Sequence, residues 1–449
     1  MSKKISLLKS HSYFGLFVAI LEDTTINFGG KLIFDSEKGF NIEVVVEEFN
    51  QKHDALHNKD YIEKCEAYLI DDKENSRHCT LYNVVLSTKY HSSIESSNAL
   101  RFYPQICLFN TYRNKIEINA VILHFPFWND FFYPKSLTKE QRYSNRVEQF
   151  QLNNGWKIEF KENATYNLVN SKNIDGIFID LDERIQIPED VKYLKHKVGH
   201  DHYVVLLPEK HLCDRYNDFG QIIKEINVFR NFLSILFHMK INIENIVLHT
   251  TDDAYINTLM DIRNINKMHQ RYEQMHHHMM PLTHSKIDNF AEIIPKFYDQ
   301  YAMYEAIIEI IVQSYEEDFS KYQYTRIADS LKELGLKYDE KQPYNSIITA
   351  IANNEIQKEI KSIFKQQFNV DDWGAIGVKI SSLRGLITHF NGEEDDDTFC
   401  LLHNLTQIFK IIINSYFLRE LGVDEKLTDT YQTHHFHYRT TIEMMYRDE

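Results

Sequence analysis

The period of the hydrophobic pattern changes once along this 449-residue chain, and that change restricts it to a β-rich part followed by a helical part. Residues 1 to about 210 carry short apolar or alternating runs separated by polar turns. The predicted strands are Tyr13–Leu21, Lys31–Phe34, Phe40–Val46, Glu66–Ile70, Cys79–Leu86, Ile106–Phe109, Ile116–Phe125, Trp156–Phe160 and His202–Leu207. Gly29 and Gly30 read as a break between the first two, and residues 35–39 as a turn before the third. Several short strands with polar turns predict an antiparallel sheet or sandwich. Over residues 219–239, Ile222, Ile226, Phe229, Leu233 and Leu236 switch to helical steps, which predicts a helix that closes the β-rich domain, with a strand at Ile243–His249 after it. From about residue 290 the pattern is helical to the end. One helix carries Tyr304, Ile307, Ile308 and Ile311, a second spans Ile327–Leu336, and a third runs from Pro343 through Ile348 and Ile356 to Ile360. A later one shows Leu402, Leu405, Phe409, Ile412 and Tyr416. The expected fold class is α+β, with a β-rich domain at 1–250, a His- and Met-rich junction at 251–290 and an all-α bundle at 291–449.

Within the helical part, Ile376, Ile380, Leu383, Ile387 and Phe390 form the apolar stripe of a packed helix. Arg384 and His389 lie off that stripe. Five residues at roughly 100° each place them about 140° apart, so one regular helix cannot aim both at the same atom. Two such helices from two copies of the chain, meeting along their stripes, would pool two arginines and two histidines in one cleft. A permanent cation beside an imidazole that titrates near neutrality suits chemistry on a phosphate. The spacing alone is a weak signal: Arg271 and His276 share it, and with 22 histidines in 449 residues roughly one match is expected by chance. Arg271 sits in a Met- and His-rich run with no apolar stripe beneath it, whereas Arg384 sits on a striped helix followed by another strong one.

Arg384 and His389, spaced as Arg-x4-His late in an all-helical region, resemble the signature of HEPN domains, many of which are metal-independent ribonucleases that act as dimers. The N-terminal part is similar to ApeA-type abortive-infection proteins. The matching residues are Tyr13–Gly15, Gly29–Asp35, Gly39–Val44, His78–Asn83 and Phe229–Ser234. The resemblance implies an anti-phage ribonuclease. The ribose 2′-hydroxyl would attack the adjacent phosphate, His389 would move protons and Arg384 would stabilise phosphate charge. Thr388 and Arg439 are added as candidate RNA contacts. The resemblance further implies a homodimer, an RNA substrate with tRNA as the leading class, a phage-derived trigger, and no cofactor or metal. This chain departs from the pattern at Gly385, where active HEPN ribonucleases usually carry Asn, Asp or His after the arginine. The alternative is a non-catalytic HEPN dimer serving as a binding or scaffold module.

Bulk charge argues against a generally basic, nonspecific nucleic-acid binder, since the net charge is −15. Any RNA must then meet a local basic cleft, or one that a trigger uncovers. Cys65, Cys79, Cys107, Cys213 and Cys400 show no paired spacing, which fits a reducing cytosol. No secretory leader or long apolar span is evident, so a cytoplasmic protein without membrane contact is expected. A metal-dependent hydrolase is the third reading, through Asp180 and Asp182 or through His276, His277 and His278. The simpler readings are a solvated strand end and a polar linker. The aromatic run from Phe125 to Tyr133 reads as a core edge or, alternatively, a recognition surface. Residues 393–397 read as a solvated acidic loop before a helix, and residues 431–439 as a packed terminal helix, with base stacking as the alternative.

Overall fold

The computed structural model describes residues 5–7, 9–20, 25–35, 39–46, 61–70, 76–90, 98–109, 116–126, 128–131, 146–170, 177–178, 194–260, 281–315, 319–389 and 396–447. The chain divides into two compact units, residues 1–226 with 242–275, and residues 227–241 with 276–449. The α+β expectation holds: the first unit is β-rich and the second helical.

Six strands of the first unit close into an antiparallel barrel. They are β1 (His11–Ile20), β2 (Thr25–Asp35), β3 (Gly39–Val46), β4 (Tyr61–Ile70), β5 (Ser76–Tyr90) and β6 (Asn98–Tyr103), ordered β5-β4-β1-β2-β3-β6 with β6 returning to β5. Alternation puts one face of each strand inside. Tyr13, Phe17 and Ala19 of β1 are buried, and Phe17 stacks on Phe28 of β2 with ring centroids 5.3 Å apart. The other face of β1 stays apolar and exposed at Phe14 and Leu16, which pair with Ile70 and Tyr68 of β4.

Gly29 and Gly30 do not break a strand. Both lie inside β2, and Gly30 pairs with Gly15 of β1. The reason is close backbone approach. A Cβ at Gly15 would lie 2.3 Å from the Tyr68 carbonyl oxygen, and one at Gly30 would lie 2.8 Å from that of Glu43.

The long strand β5 serves two sheets. Residues 79–82 pair with β7 (Ile106–Phe109), and from Val85 onward β5 pairs with β6. Between them Asn83 takes a left-handed φ of 55°, a conformation asparagine tolerates better than most residues. Through β7 the barrel leads into an extended antiparallel sheet ordered β7-β15-β14-β8-β12-β10-β11. It contains β8 (Glu117–His124), β9 (Arg146–Gln151), β10 (Lys157–Asn170), β11 (Ile177–Phe178), β12 (Leu194–Leu207), β13 (Leu212–Cys213), β14 (Asn245–Thr250) and β15 (Tyr255–Met260), with β9 on β10 and β13 on β8. The sequence reading placed no strand at β6, β9, β11, β13 or β15. Phe125, Trp128 and Phe131 are buried, which supports the core reading of the aromatic run at its described positions.

Helix α1 (Tyr216–Phe237) was expected to close the β-rich domain, but its second half belongs to the helical unit. There Asn231 donates to the Tyr301 hydroxyl at 2.9 Å, and Phe232 packs against Phe290 and Phe297. The unit continues with α2 (Phe290–Gln313), α3 (Lys321–Gly335), α4 (Pro343–Ile351), α5 (Asn354–Phe368), α6 (Trp373–His389), α7 (Asp396–Glu420) and α8 (Glu425–Arg447). The single helix expected from Pro343 to Ile360 is two helices. Ala352 is extended and Asn353 caps α5, its side chain accepting from the Ile356 amide at 3.0 Å. Helix α3 lies at the centre of this unit, packed on α2, α4, α6 and α7.

Candidate functional site

Helix α6 begins where Asp372 accepts a hydrogen bond from the Ala375 amide at 3.0 Å. Ile376, Ile380 and Leu383 are buried, which fixes the helix on α3 and α4 by the stripe read from the sequence. The helix is unbroken to His389, so Arg384 and His389 stand about 140° apart around its axis. The side chains of Thr388, His389 and Arg439 lie outside the described residues, as do Asp180, Asp182, Arg271 and the histidines of 276–278.

Arg384 is paired with one residue and lies near two others, all brought from other helices. Its guanidinium forms an ion pair with Asp329 of α3. The side chains of this pair are 31% and 50% exposed, so water screens it. Beside it lies Tyr344 of α4, a buried phenol. Burial raises the Tyr344 pKa, Arg384 opposes that rise, and Asp329 adds to it. Tyr324 of α3 is fully enclosed and its pKa is likewise raised by burial, with Arg384 again opposing. Arg384 is thus set beside a carboxylate and two phenols. Next to it, a Cβ on Gly385 would meet nothing within 4 Å, so the structure has room there for the larger residue that this helix lacks.

A second polar cluster lies inside the same unit. The Nδ1 of His238 is 3.0 Å from the Asn414 amide nitrogen and 3.2 Å from the Tyr315 hydroxyl. Tyr431 donates to the Ile235 carbonyl at 3.0 Å, and the His238 and His435 rings are 4.7 Å apart. Lys410 of α7 is buried with its ammonium 5.1 Å from the Tyr315 ring centre. Burial, helped by Lys410, holds the His238 pKa down at about 3. Burial alone brings Lys410 down to about 7. His435 is lowered by burial and by its histidine neighbours. Tyr431, Gln432, His435 and Phe436 are all buried, so this stretch of α8 packs rather than offering rings to bases. Its exposed His437 instead pairs with Glu355 at 3.0 Å.

Among the described residues no group of three or more His, Cys, Asp or Glu could hold a metal ion, and no helix is long and apolar enough to cross a membrane. All five cysteines carry free thiols. Asp329, Tyr324 and Tyr344 were not singled out by the sequence reading. They lie 40 to 60 residues before Arg384, and no local motif ties them to it.

Two family matches cover most of the chain. Residues 12–297 match ApeA N-terminal domain 1, and residues 282–427 match the Apea-like HEPN domain, which contains Arg384 and His389. No curated protein and no solved structure matches the chain.

Proposed function

The chain belongs to the ApeA family of abortive-infection proteins with a C-terminal HEPN domain, and we propose that it is an anti-phage endoribonuclease that needs no metal. The observation that carries the proposal is Arg384 on α6, inside the HEPN match, five residues before His389 on the same unbroken helix. Two copies of the chain form the site, because one helix aims the two side chains apart. The 2′-hydroxyl oxygen forms a bond to the adjacent phosphorus while the bond from phosphorus to the 5′-oxygen breaks. One His389 accepts the hydroxyl proton and the other copy's His389 donates a proton to the leaving oxygen. Arg384 stabilises the charge that builds on the phosphate oxygens. The products are a 2′,3′-cyclic phosphate and a 5′-hydroxyl end, and DNA, lacking the 2′-hydroxyl, is not cut. Thr388 and Arg439 are secondary RNA contacts.

In this reading the β-rich N-terminal region senses a phage-derived trigger and restrains the helical region, the substrate is tRNA, and the protein acts in the cytoplasm. The test is induced expression of wild type, Arg384→Ala and His389→Ala in bacteria, with and without phage, followed by sequencing of new RNA ends from lysates quenched in EDTA. New cyclic-phosphate ends with wild type alone, unchanged when chelator is present during cleavage, are expected. Stable, dimeric proteins with identical RNA profiles would instead favour a non-catalytic HEPN binding module, the reading that Gly385 supports.

A further inference from the structure

The outer face of the barrel carries an apolar patch open to solvent. Phe14, Leu16 and Ile20 of β1 and Tyr68 and Ile70 of β4 are between 43% and 59% exposed. Register makes them one surface, with Phe14 opposite Ile70 and Leu16 opposite Tyr68. A strand that is apolar on both faces is the pattern of one buried on both, yet only the inner face of β1 is covered. Together the five side chains expose about 500 Å² of apolar surface, in the range of patches that mark interaction sites.

The residues around the patch indicate what covers it. Three levels run across β4, β1 and β2: Ile70, Phe14 and Lys31, then Tyr68, Leu16 and Gly29, then Glu66, Val18 and Asn27. The charges stand at two diagonally opposite corners. Lys31 lies over the Phe14 ring, 5.2 Å from its centre, and the Glu66 side chain is 32% exposed. Gly29 is a hollow in this face. A Cβ there would meet nothing within 4 Å, so a neighbouring backbone does not demand glycine as it does at Gly15 and Gly30.

A second copy, turned about a two-fold axis along the diagonal from Ile70 through Leu16 to Asn27, answers each feature with its complement. Leu16 falls on Leu16, Phe14 on Tyr68, Val18 on the hollow at Gly29, and Lys31 on Glu66. Each unlike contact occurs twice, as a self-complementary two-fold interface requires. The strands then cross near 90°, one of the two ways in which sheets pack face to face. No other two-fold arrangement through Leu16 pairs the charges. An axis along β1 sets Lys31 on Ile70, one across β1 sets it on Asn27, and the other diagonal sets it on Lys31. With its polar rim the patch reaches about 800 Å² per copy, the size of a stable interface. We propose that the outer face of β1 docks a second copy of this chain, barrel to barrel. This contact is independent of the ribonuclease reading, whose dimer belongs to the helical region.

The mass of the full-length protein is measured by light scattering during gel filtration. The variants are Leu16→Glu, Lys31→Glu, Glu66→Lys and the double charge swap, each checked by its thermal melt. Leu16→Glu should halve the mass at an unchanged melt. The change is from four chains to two if the helical region also pairs, and from two to one if it does not, so failure of the nuclease reading is seen separately. Each single charge reversal should weaken association about tenfold by setting like charges together twice, and the swap should restore it. In a Cys400→Ser background, Leu16→Cys should form an interchain disulfide with copper phenanthroline as oxidant, because the axis brings the two positions together, whereas Ile20→Cys should not. If Leu16→Glu fails to fold, the cross-link and the swap decide. A mass that is the same in wild type and Leu16→Glu, or charge variants that the swap does not rescue, overturns the proposal. Should those variants lose only their response to phage, the face binds a foreign polypeptide and not a second copy.

Discussion

Lys410 offers a quantitative test of how the helical unit is built. Its ammonium is enclosed, no carboxylate pairs with it among the described residues, and burial lowers its pKa from 10.5 to about 7. At about 1.4 kcal/mol per decade, that drop corresponds to about 4 kcal/mol of destabilisation at pH 7, relative to a side chain that never ionises. Lys410→Met keeps an unbranched chain of similar length and removes the charge. It also removes the contact with the Tyr315 ring, worth about 0.5 to 2 kcal/mol, so a net gain of about 2 to 4 kcal/mol is expected at pH 7. The sign follows from proton counting. Between pH 7 and 10.5 the unfolded chain holds the Lys410 proton and the folded chain does not, so wild-type stability rises with pH across that window. The advantage of the methionine variant must therefore shrink as pH rises from 7 towards 10. Urea unfolding of the full-length chain, followed by circular dichroism at 222 nm where helices dominate, reads the difference at pH 7, 8 and 9. A variant less stable than wild type at pH 7, or a difference that does not change with pH, would refute the reasoning.

Other outcomes are expected around the site. If Arg384 receives the phosphate as proposed, Asp329→Asn removes a carboxylate that would compete for it. As the pair is partly exposed and worth at most about 1 kcal/mol, RNA binding should tighten by up to about fivefold with little loss of stability, as read by anisotropy. Weaker binding would show that Asp329 positions Arg384 instead. Gly385→Asn places a side chain in open space and restores the residue type common in active relatives of this domain; RNA cleavage should rise while the melting temperature holds or increases. Gly335→Ala has the opposite character. Its Cβ would lie 2.0 Å from the Pro343 carbonyl oxygen, a backbone atom held by the start of α4, and a Ser346 hydroxyl bonds the Gly335 carbonyl at 3.2 Å. Overpacking should cost about 1 to 3 kcal/mol, outweighing the helix propensity gained, and a thermal melt checks it. Acidification should loosen the same unit. His238 and His435 are held neutral by burial, so stability is full above about pH 6.5 and falls as pH drops towards the His238 value of about 3. His238→Phe should flatten that fall in a series of melts.

The helical unit was the more legible half of the fold. Its stripes repeat locally, and each stripe reports a buried face without knowledge of the partner, as Ile376, Ile380 and Leu383 do for α6. Ten of the fifteen described strands were legible for the same reason, but β6, β9, β11, β13 and β15 and the pairing of all of them were not. Nothing local distinguishes a sandwich from a barrel closed by β6 on β5, and Gly29 and Gly30 read as a break although both lie inside β2, Gly30 with a neighbouring carbonyl against it. The junction inside the expected Pro343–Ile360 helix was missed because the residue that stabilises it is distant. Gln432 of α8 accepts from the Asn353 amide at 2.7 Å, where a straight helix would have kept that amide inside.

Sequence by itself determined the period change, the helix that carries Arg384 and His389, and the family to which both regions belong. These depend on side chains spaced along one element or on motifs read in order. Tertiary structure alone decided what surrounds Arg384, that a Cβ at Gly377 would crowd Asn345, and that Lys410 is shut away from water. Charge pairing, cavity shape and pKa depend on distances between groups far apart in the chain, and those distances exist only once the helices have packed.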